Sequence, residues 1–414
     1  MLSAQPLEGL TYAAAYARLA ERPEALYATA GEGFGALLAQ APLAAAVVGN
    51  RRQLLEFDWA HSEFLVWACL SYDFGHALLG LPRVGRLEGP WPLGRVVAFG
   101  AWLSFDEAGL AWLEGPDAPA RAQLLQSLGG PLPEPRQPAP LDLSPQLDAP
   151  AHQAALAQIF DWIRAGEFYQ VNYTQTLQGQ SAERARHWFL PALGEDPPAY
   201  AALFEAPEGD LLSLSPELLL ATQGAQARTE PIKGTRPRGN NAAEDAALQA
   251  ELDGSAKEEA ELFMITDLLR NDLGRMAEIG SVEVAQRKVL RLLPGVIHSH
   301  SVVTAQLKPA YRSLGALVEL LPGGSISGCP KRRALELIDR LEPQNRGLYT
   351  GSLALRWPGG DLKANLLIRS LQFTAGQVSL GVGGGITIES NPPAELEEAQ
   401  KKARSVLMRF QRNL

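Results

Sequence analysis

Two pairs of glutamates have the spacing and the chemistry of a site for a divalent cation. Glu258 and Glu261 lie three residues apart, and Glu395 and Glu398 repeat that spacing near the end of the chain. Residues i and i+3 of a helix share one face, so each pair can present two carboxylates together. Oxygen ligands of this kind suit a hard cation such as Mg²⁺. Spacing alone, however, favours a solvated acidic helix face.

Lys233 is a candidate nucleophile. It stands in the segment PIKGTRPRG, between a proline and a glycine–threonine turn. A lysine becomes nucleophilic when its ammonium is destabilised by burial or by neighbouring cations, and Arg236 and Arg238 are close in sequence. The alternative is an ordinary lysine in a surface turn, which is the commoner case for a segment of this kind.

Three further features could take part in catalysis or binding. Glu217 in LSPELLL and His298 in VIHSHS are candidate proton donors or acceptors, although each alone is more often structural. Gly383–Gly385 follow a predicted strand and precede a predicted helix, so their backbone N–H groups could receive a carboxylate. A bulged strand is the alternative interpretation of the glycines.

Amphipathic helices and short strands must position these groups. Apolar periodicity and end signals predict helices over Ala154–Ala165 and Lys257–Leu269, and a third that begins with Asn391 as N-cap and Pro392 at its first position. The predicted strands of this part of the chain are Tyr169–Gly179, Leu211–Leu214, Leu218–Thr222 and Val378–Val382.

A proline-rich stretch divides the chain. Residues 130–150 contain seven prolines, a density that excludes a central strand or the interior of a helix. We therefore predict a connection there, between an N-terminal α/β region at 1–145 and a larger domain at 146–414.

Composition narrows the class of protein. The chain has 414 residues, of which 46% are hydrophobic, and a formal net charge of −9. The acidic balance, without a Lys/Arg stripe, argues against nucleic-acid binding. The apolar runs fall far short of the ~20 residues that span a bilayer. Two widely separated cysteines, Cys69 and Cys329, favour a reducing, cytoplasmic setting. Because Glu8, Glu21 and Glu24 lie near the start, we expect no targeting peptide.

Taken together, a series of segments resembles the chorismate-utilising enzymes, which include anthranilate synthase component I, aminodeoxychorismate synthase component I, isochorismate synthase and salicylate synthase. The matching segments are FYQVNYTQ, LSPE, PIKGTRPRG, KEEAELFMITDLLRNDLGR, GGSISGCPKRRALELIDRLEP, RGLYTGSL, LLIRS, GVGGGITIES and AELEEAQKKA, in the family's order. Residues 1–130 match only loosely, through YDFG at 72–75. The resemblance implies an α+β fold with a large mixed two-sheet core and flanking helices.

The resemblance also implies roles for residues at the matching positions. It implies that Mg²⁺, which binds the ring carboxylate of chorismate, is held directly or through water by Glu258, Glu261, Glu395 and Glu398. It implies that the enolpyruvyl carboxylate is held by Arg369, Tyr349, Lys402 and the amides of Gly383, Gly384 and Gly385. Glu217 and His298 match the acid/base positions. Cys329 and Leu396 depart from the usual alanine and aromatic residue, and neither departure involves a charged group.

Two positions distinguish members of the family. Members that add water resemble one another in having a lysine where this chain has Gln170, whereas the ammonia users have glutamine. Anthranilate synthases read PIAGT where this chain reads PIKGT, as the aminodeoxychorismate synthases do. The resemblance to the latter implies that Lys233 attacks C2 of the ring as the 4-hydroxyl leaves, and that ammonia then attacks C4 and expels the lysine. Anthranilate synthase component I is the alternative.

The implied reaction needs partners. Because the chain has no third cysteine that could serve an amidotransferase, we expect ammonia to come from a separate glutamine amidotransferase subunit or from solution. We expect a separate lyase to make 4-aminobenzoate from the product. A catalytically silent subunit that binds chorismate or an amino acid is an alternative of another class. The presence of both glutamate pairs, His298 and Lys233 counts against it.

Overall fold

The computed structural model describes residues 3–81, 89–134, 138–146, 149–293, 296–342 and 344–411. The α-helices in these ranges are α1 (Tyr12–Ala20), α2 (Arg51–Ala60), α3 (Tyr72–Leu78), α4 (Ala118–Ser127), α5 (Ala149–Arg164), α6 (Ala185–Leu193), α7 (Ala242–Asp253), α8 (Ala256–Met276), α9 (Leu314–Leu320), α10 (Lys331–Leu341) and α11 (Pro392–Leu407). Short 3₁₀ helices cover Pro309–Tyr311, Gly324–Ile326 and Met408–Phe410.

The strands of the first half are β1 (Ser3–Leu7), β2 (Leu26–Ala30), β3 (Ala36–Gln40), β4 (Ala44–Val48), β5 (Leu65–Leu70), β6 (Gly94–Phe99), β7 (Trp102–Phe105), β8 (Ala111–Gly115), β9 (Ser144–Pro145), β10 (Gln170–Gln180) and β11 (Tyr200–Ala206). Those of the second half are β12 (Gly209–Ser215), β13 (Leu218–Gln223), β14 (Gln226–Glu230), β15 (Ile232–Pro237), β16 (Glu283–Leu292), β17 (Val296–Gln306), β18 (Gly328–Cys329), β19 (Ser352–Arg356), β20 (Leu362–Leu366), β21 (Ser370–Thr374) and β22 (Gln377–Thr387).

The strands form two large sheets. The first has the order β1-β8-β7-β3-β2-β11-β12-β21-β22-β10-β18, with β9 also paired to β10. The second has the order β15-β17-β14-β13-β20-β19-β5-β6-β4, with β16 also paired to β17. This is the mixed two-sheet α+β fold that the family resemblance implies. Among the described residues, every helix is too short or too polar to cross a membrane.

The central strands are buried on both faces because each sheet lies between the other sheet and a layer of helices. In β5, LVWACL, all six residues are buried. Leu65, Trp67 and Cys69 join the aromatic core between the sheets, whereas Val66 and its even-numbered neighbours pack with the helices. Successive side chains of a strand point to opposite faces, so a continuous apolar run is what such a position requires.

Both sheets take strands from both sides of the proline-rich connection. In the first sheet β2 pairs with β11, and in the second β5 pairs with β19. The predicted boundary between 1–145 and 146–414 therefore does not separate two independent cores. Residues 135–137 and 147–148 of the connection lie outside the described residues.

The predicted elements that position the candidate groups are present, with different ends. Helix α8 extends beyond the predicted Leu269, and α5 begins earlier than Ala154. Asn391 caps α11 as predicted, because its side chain accepts a hydrogen bond from the Ala394 amide. Strand β22 continues through the three glycines to Thr387. Its unbroken pairing with β10 keeps the glycines extended, against their low intrinsic strand preference.

Candidate active site

One cavity gathers nearly all the predicted site residues. It has a volume of about 830 Å³ and lies where β15, β17 and β22 meet helices α8 and α11. The predicted residues that line it are Glu217, Lys233, Glu258, Glu261, His298, Tyr349, Arg369, Gly383, Gly384, Gly385, Glu395, Glu398 and Lys402. A larger groove of about 1300 Å³ lies near Trp357, and none of the predicted site residues lines it. The residues that line the smaller cavity therefore make it the candidate active site.

The two glutamate pairs face each other across this cavity. Ser255 caps α8 by accepting a hydrogen bond from the Glu258 amide, which places the first turn of that helix at the rim. Burial raises the pKa of Glu261, and the charges of Glu398 and Glu395 on α11 raise it further, while Lys233 and Lys257 oppose them. The two helices thus bring their carboxylates within electrostatic reach of one another, which spacing in the sequence could not establish.

Basic side chains pair with the carboxylates of the cavity. Glu258 accepts two hydrogen bonds from the Arg236 guanidinium, each 3.0 Å long. Glu398 forms an ion pair of 2.8 Å with Lys402. Burial opposes ionisation of Glu398, but the charge and hydrogen bond of Lys402, together with the charges of Lys233 and Lys257, outweigh burial and hold the pKa of Glu398 below its usual value.

The carboxylates of the cavity are the type of donor that Mg²⁺ prefers. In the described ranges, no three His, Cys, Asp or Glu side chains converge into a complete metal cage. Mg²⁺ does not need one, because it keeps several waters and is held by one or two carboxylates together with substrate oxygens. Glu261 is close enough to Glu395 and Glu398 on the facing helix for their charges to raise its pKa, so one or two of these carboxylates could contribute to such a site.

A bulge aims Lys233 into the cavity. The pairing of β15 with β17 shifts register between Ile232 and Thr235, and bulges of this kind turn a side chain away from the regular pleat. Gly234 has a φ of +86°, and a Cβ there would lie 2.6 Å from Leu252. Only glycine allows the strand to turn so close to helices α7 and α8. The Lys233 amine consequently lies 3.9 Å from a carboxylate oxygen of Glu261.

Glu217 is a buried carboxyl with a perturbed proton affinity. Burial raises its pKa to about 7, against the opposing effects of Lys233, a hydrogen bond from Ser325 and Arg369. The Ser325 hydroxyl donates that bond over 3.3 Å. Near neutral pH, Glu217 is therefore partly protonated and can donate a proton. Sequence analysis did not identify Ser325 as a site residue. Its place in GGSISG, part of a segment that matches the family, could have indicated a role.

His298 is buried as a neutral imidazole. Burial and the charge of Arg369 lower its pKa to about 3. Its Nδ1 lies 2.9 Å from the Thr235 hydroxyl, and its Nε2 has no hydrogen-bond partner among the described residues. At neutral pH His298 is therefore an uncharged hydrogen-bonding group, and it is neither a cationic acid nor a strong base.

The three glycines lie inside β22 and not in a loop before a helix. Gly383, Gly384 and Gly385 pair in register with Thr174, Tyr173 and Asn172 of β10, without a bulge. The Lys402 ammonium donates a hydrogen bond of 2.9 Å to the carbonyl of Gly383, on the side of α11. Since successive residues of a strand direct their N–H and C=O groups to opposite edges, Gly383 and Gly385 present theirs away from β10.

Arg369 and Tyr349 line the same cavity. Arg369 has a φ of +51°, an unusual value for a residue with a side chain. Burial and the charge of Arg409 lower its pKa, and Glu217 opposes them. The Tyr349 ring lies against Gly381, where a Cβ would approach the ring to 2.2 Å. Gly381 is thus required by a close contact, which nothing in the sequence alone indicates.

Gln170 is the one predicted site residue that does not line the cavity. It is buried, 1% exposed, on β10. Its amide lies directly against Gly385, so it adjoins the cavity through the glycine strand.

Comparison with known proteins gives a family and several relatives. The family described as "chorismate binding enzyme" matches residues 13–408. An anthranilate synthase component I-like protein of Synechocystis is 35% identical over 354 residues, which are 84% of this chain and 72% of that protein.

Relatives with two different names are about equally similar. An anthranilate synthase component 1 of Haloarcula marismortui is 40% identical over 60% of this chain, and aminodeoxychorismate synthase component 1 of Bacillus subtilis is 39% identical over 60%. The matched region spans about half of these two relatives, 50% and 53% of their length respectively. Sequence identity therefore does not separate the two names.

Solved structures share the fold. Anthranilate synthase component I from Streptococcus pneumoniae has a TM-score of 0.79 at 23% identity, covering 98% of this chain and 92% of that one. The menaquinone-specific isochorismate synthase of Escherichia coli has a TM-score of 0.79 at 17% identity, covering 99% and 94%. The two-sheet architecture is thus common to proteins that are named for different activities.

Proposed function

Because the chain belongs to the family of chorismate binding enzymes, we propose that it converts chorismate and ammonia to 4-amino-4-deoxychorismate, as an aminodeoxychorismate synthase component I. The observation that supports this choice is the position of Lys233, whose amine lies in the cavity 3.9 Å from Glu261. A lysine placed there can act as a covalent nucleophile, and the proposed reaction uses it as one.

The cavity can hold a dianionic substrate inside an acidic protein. Arg369 and Lys402 supply positive charge, and the free edge of Gly383 and Gly385 offers backbone N–H groups to a carboxylate. Glu261, Glu395 and Glu398, the last of which is paired with Lys402, would hold Mg²⁺ nearby. The bound ion would neutralise the ring carboxylate and orient it.

Lys233 and Glu217 would share the first chemical step. The free amine of Lys233 attacks C2 of the ring, the ring double bond shifts, and the C4–oxygen bond breaks. Glu217 gives its proton to the departing oxygen, which leaves as water. A carboxyl with a pKa of about 7 is suited to this role near neutral pH, since a catalytic acid works best when its pKa is close to the working pH.

Ammonia would complete the reaction in a second step. It attacks C4, the double bond shifts back, and the C2–nitrogen bond breaks to return the Lys233 amine. The sum is chorismate plus ammonia giving 4-amino-4-deoxychorismate plus water. The carboxylate that Glu217 leaves behind in the first step takes the proton that ammonia loses, so that Glu217 returns to its acid form. His298 stays neutral and can share a hydrogen bond through its open Nε2. Two displacements of this kind replace one more difficult one.

The proposal includes partners and a setting. Ammonia would come from a separate glutamine amidotransferase subunit or from solution, and a separate lyase would carry the product to 4-aminobenzoate for folate synthesis. The thiols of Cys69 and Cys329 are free, which suits a reducing compartment such as the cytoplasm.

A product assay tests the proposed function. The protein is incubated with chorismate, Mg²⁺ and an ammonium salt, and the products are separated and identified by mass spectrometry. We expect 4-amino-4-deoxychorismate, which depends on both ammonium and Mg²⁺, with 4-aminobenzoate appearing after addition of a lyase. Anthranilate as the main product would instead establish the second candidate, anthranilate synthase component I. This candidate is considered because relatives of both names are about equally identical to the chain.

A further inference from the structure

Gly385 stands at the point where the side chains of Gln170 and Lys233 meet. A Cβ at this position would lie 2.5 Å from the Gln170 amide nitrogen, 3.2 Å from its Cδ and 3.4 Å from the Lys233 amine. Real Cβ atoms do not approach other heavy atoms to 2.5 Å. Because position 385 has no side chain, the Gln170 amide can occupy this space, with the Lys233 amine next to it.

We propose that Gly385 is a positioning residue for amination, because it lets the Gln170 amide lie beside the Lys233 amine at the ring-facing edge of β22. This inference rests on the proposed function, in which ammonia replaces Lys233 on the substrate. Ammonia held by Gln170 would then start next to the nitrogen it displaces.

The surroundings of Gln170 support a ligand at this point. Its backbone is fixed, because Gln170 pairs with Thr387 on one side and with Cys329 on the other. Its side-chain oxygen is buried and has no hydrogen-bond partner among the described residues. Buried acceptors are nearly always satisfied in folded proteins, so an open one requires an explanation. An N–H of ammonia would supply the missing bond.

The neighbouring glycines have different surroundings. A Cβ on Gly384 would lie 3.4 Å from a carboxylate oxygen of Glu395 and 3.7 Å from the Lys402 amine, which are ordinary contacts. A Cβ on Gly383 would lie 2.3 Å from the backbone oxygen of Tyr173, so alanine there would force β10 and β22 apart. Gly385 differs from both, since a methyl group there would displace the Gln170 amide, while the Lys233 amine lies at an ordinary contact distance of 3.4 Å.

Alanine at position 385 tests the positioning of Gln170 separately from the binding of a substrate carboxylate by the Gly385 amide N–H. Gly385 is not among the residues with positive φ, so alanine strains no backbone there, and it keeps the amide N–H. We expect Gly385→Ala to leave the thermal unfolding temperature and the KM for chorismate nearly unchanged. It should raise the KM for ammonium and lower kcat by about 100-fold, the effect of displacing a reacting group by about 1 Å.

A double-variant cycle identifies the group that the alanine displaces. In a Gln170→Ala background the amide is absent, so Gly385→Ala should have little further effect on kcat or on the KM for ammonium. Gly384→Ala, the same addition one residue away, should leave the KM for ammonium unchanged in either background.

Two results would overturn the inference. One is a Gly385→Ala protein with parental kcat and parental KM for ammonium, and the other is an equal loss with and without Gln170. The product of the parent protein is a separate test of the proposed function. If that product is anthranilate and the coupling between positions 170 and 385 persists, the proposed function fails while the positioning role stands.

Discussion

The Lys233 amine lies 3.9 Å from a carboxylate oxygen of Glu261, so the proposed nucleophile touches the proposed metal site. Glu261 in turn is within the electrostatic reach of Glu395 and Glu398 on the facing helix. Cation binding and covalent chemistry therefore share one carboxylate, and substitutions at either place should affect the other.

Removal of one carboxylate should weaken metal binding and activity together. We expect Glu261→Gln to lose about 10–100-fold in activity or more, as removal of a metal-binding group typically does, and to bind Mg²⁺ more weakly in calorimetry. Glu258→Gln, Glu395→Gln and Glu398→Gln should act in the same direction. Glu397→Gln is the matched control, because Glu397 lies on the same helix with its side chain 64% exposed and paired with Lys401. Full turnover in excess chelator would contradict metal dependence.

The pH–rate profile should show the titration of Glu217. If Glu217 donates a proton, kcat/KM falls as the pH rises through its pKa of about 7, because the acid form disappears. Glu217→Gln cannot donate, so its residual rate should lack this decrease. A profile for Glu217→Gln with the same alkaline decrease would assign that decrease to another group.

The same carboxyl should make stability depend on pH. Its folded-state pKa is raised from 4.5 to about 7, so the unfolded chain ionises at lower pH than the folded one. The folded state therefore loses stability as the pH rises between these values, and the full penalty applies above about pH 7. Glu217→Gln removes the penalty. We expect its unfolding temperature, relative to the parent protein, to be higher at about pH 8 than at about pH 5. An identical difference at both pH values would count against the raised pKa.

Gln170→Lys should change the nucleophile. A lysine against Gly385 can deprotonate water, so we expect some hydroxylated, isochorismate-like product at the expense of amination, measured by mass spectrometry of the products. Gln170→Met, which has similar length without a base, serves as the control and should form no hydroxylated product. A lysine variant that is inactive towards both nucleophiles would assign Gln170 a structural role.

The predictable part of the site is its local geometry. The spacing of Glu258 and Glu261 fixes a shared helix face, and Asn391 followed by Pro392 fixes the start of α11, because both depend on residues a few positions apart. The approach of one glutamate pair to the other depends on how two helices pack around the sheet. Because the sequence does not show how the helices pack, the spacing of the glutamates alone favoured a solvated helix face.

The remaining part depends on sheet register. Gln170 and Gly385 are far apart in sequence and meet only because β10 pairs with β22 over eleven residues. The same pairing explains why the strand continues through the glycines to Thr387, whereas the predicted strand ended at Val382. Arg236 likewise holds Glu258 through a contact between β15 and α8, which its place in PIKGTRPRG does not reveal.

Lys233→Ala is the most informative substitution, because it removes the covalent route and leaves the other groups in place. The variant should lose most formation of 4-amino-4-deoxychorismate and gain products substituted at C2 or anthranilate, since ammonia or water can then attack C2 directly. Lys401→Ala, at an exposed lysine of the cavity rim, should retain the parental product.

The most direct measurement is peptide mass spectrometry of the unmodified protein after trapping with a chorismate analogue. Covalent catalysis predicts an adduct on the PIKGTR segment at Lys233, absent from the Lys233→Ala variant and present in the Lys401→Ala variant. If no adduct maps to Lys233 and the alanine variant still makes the 4-amino product near the parental rate, the covalent mechanism is wrong, and the proposed synthase activity loses its main support.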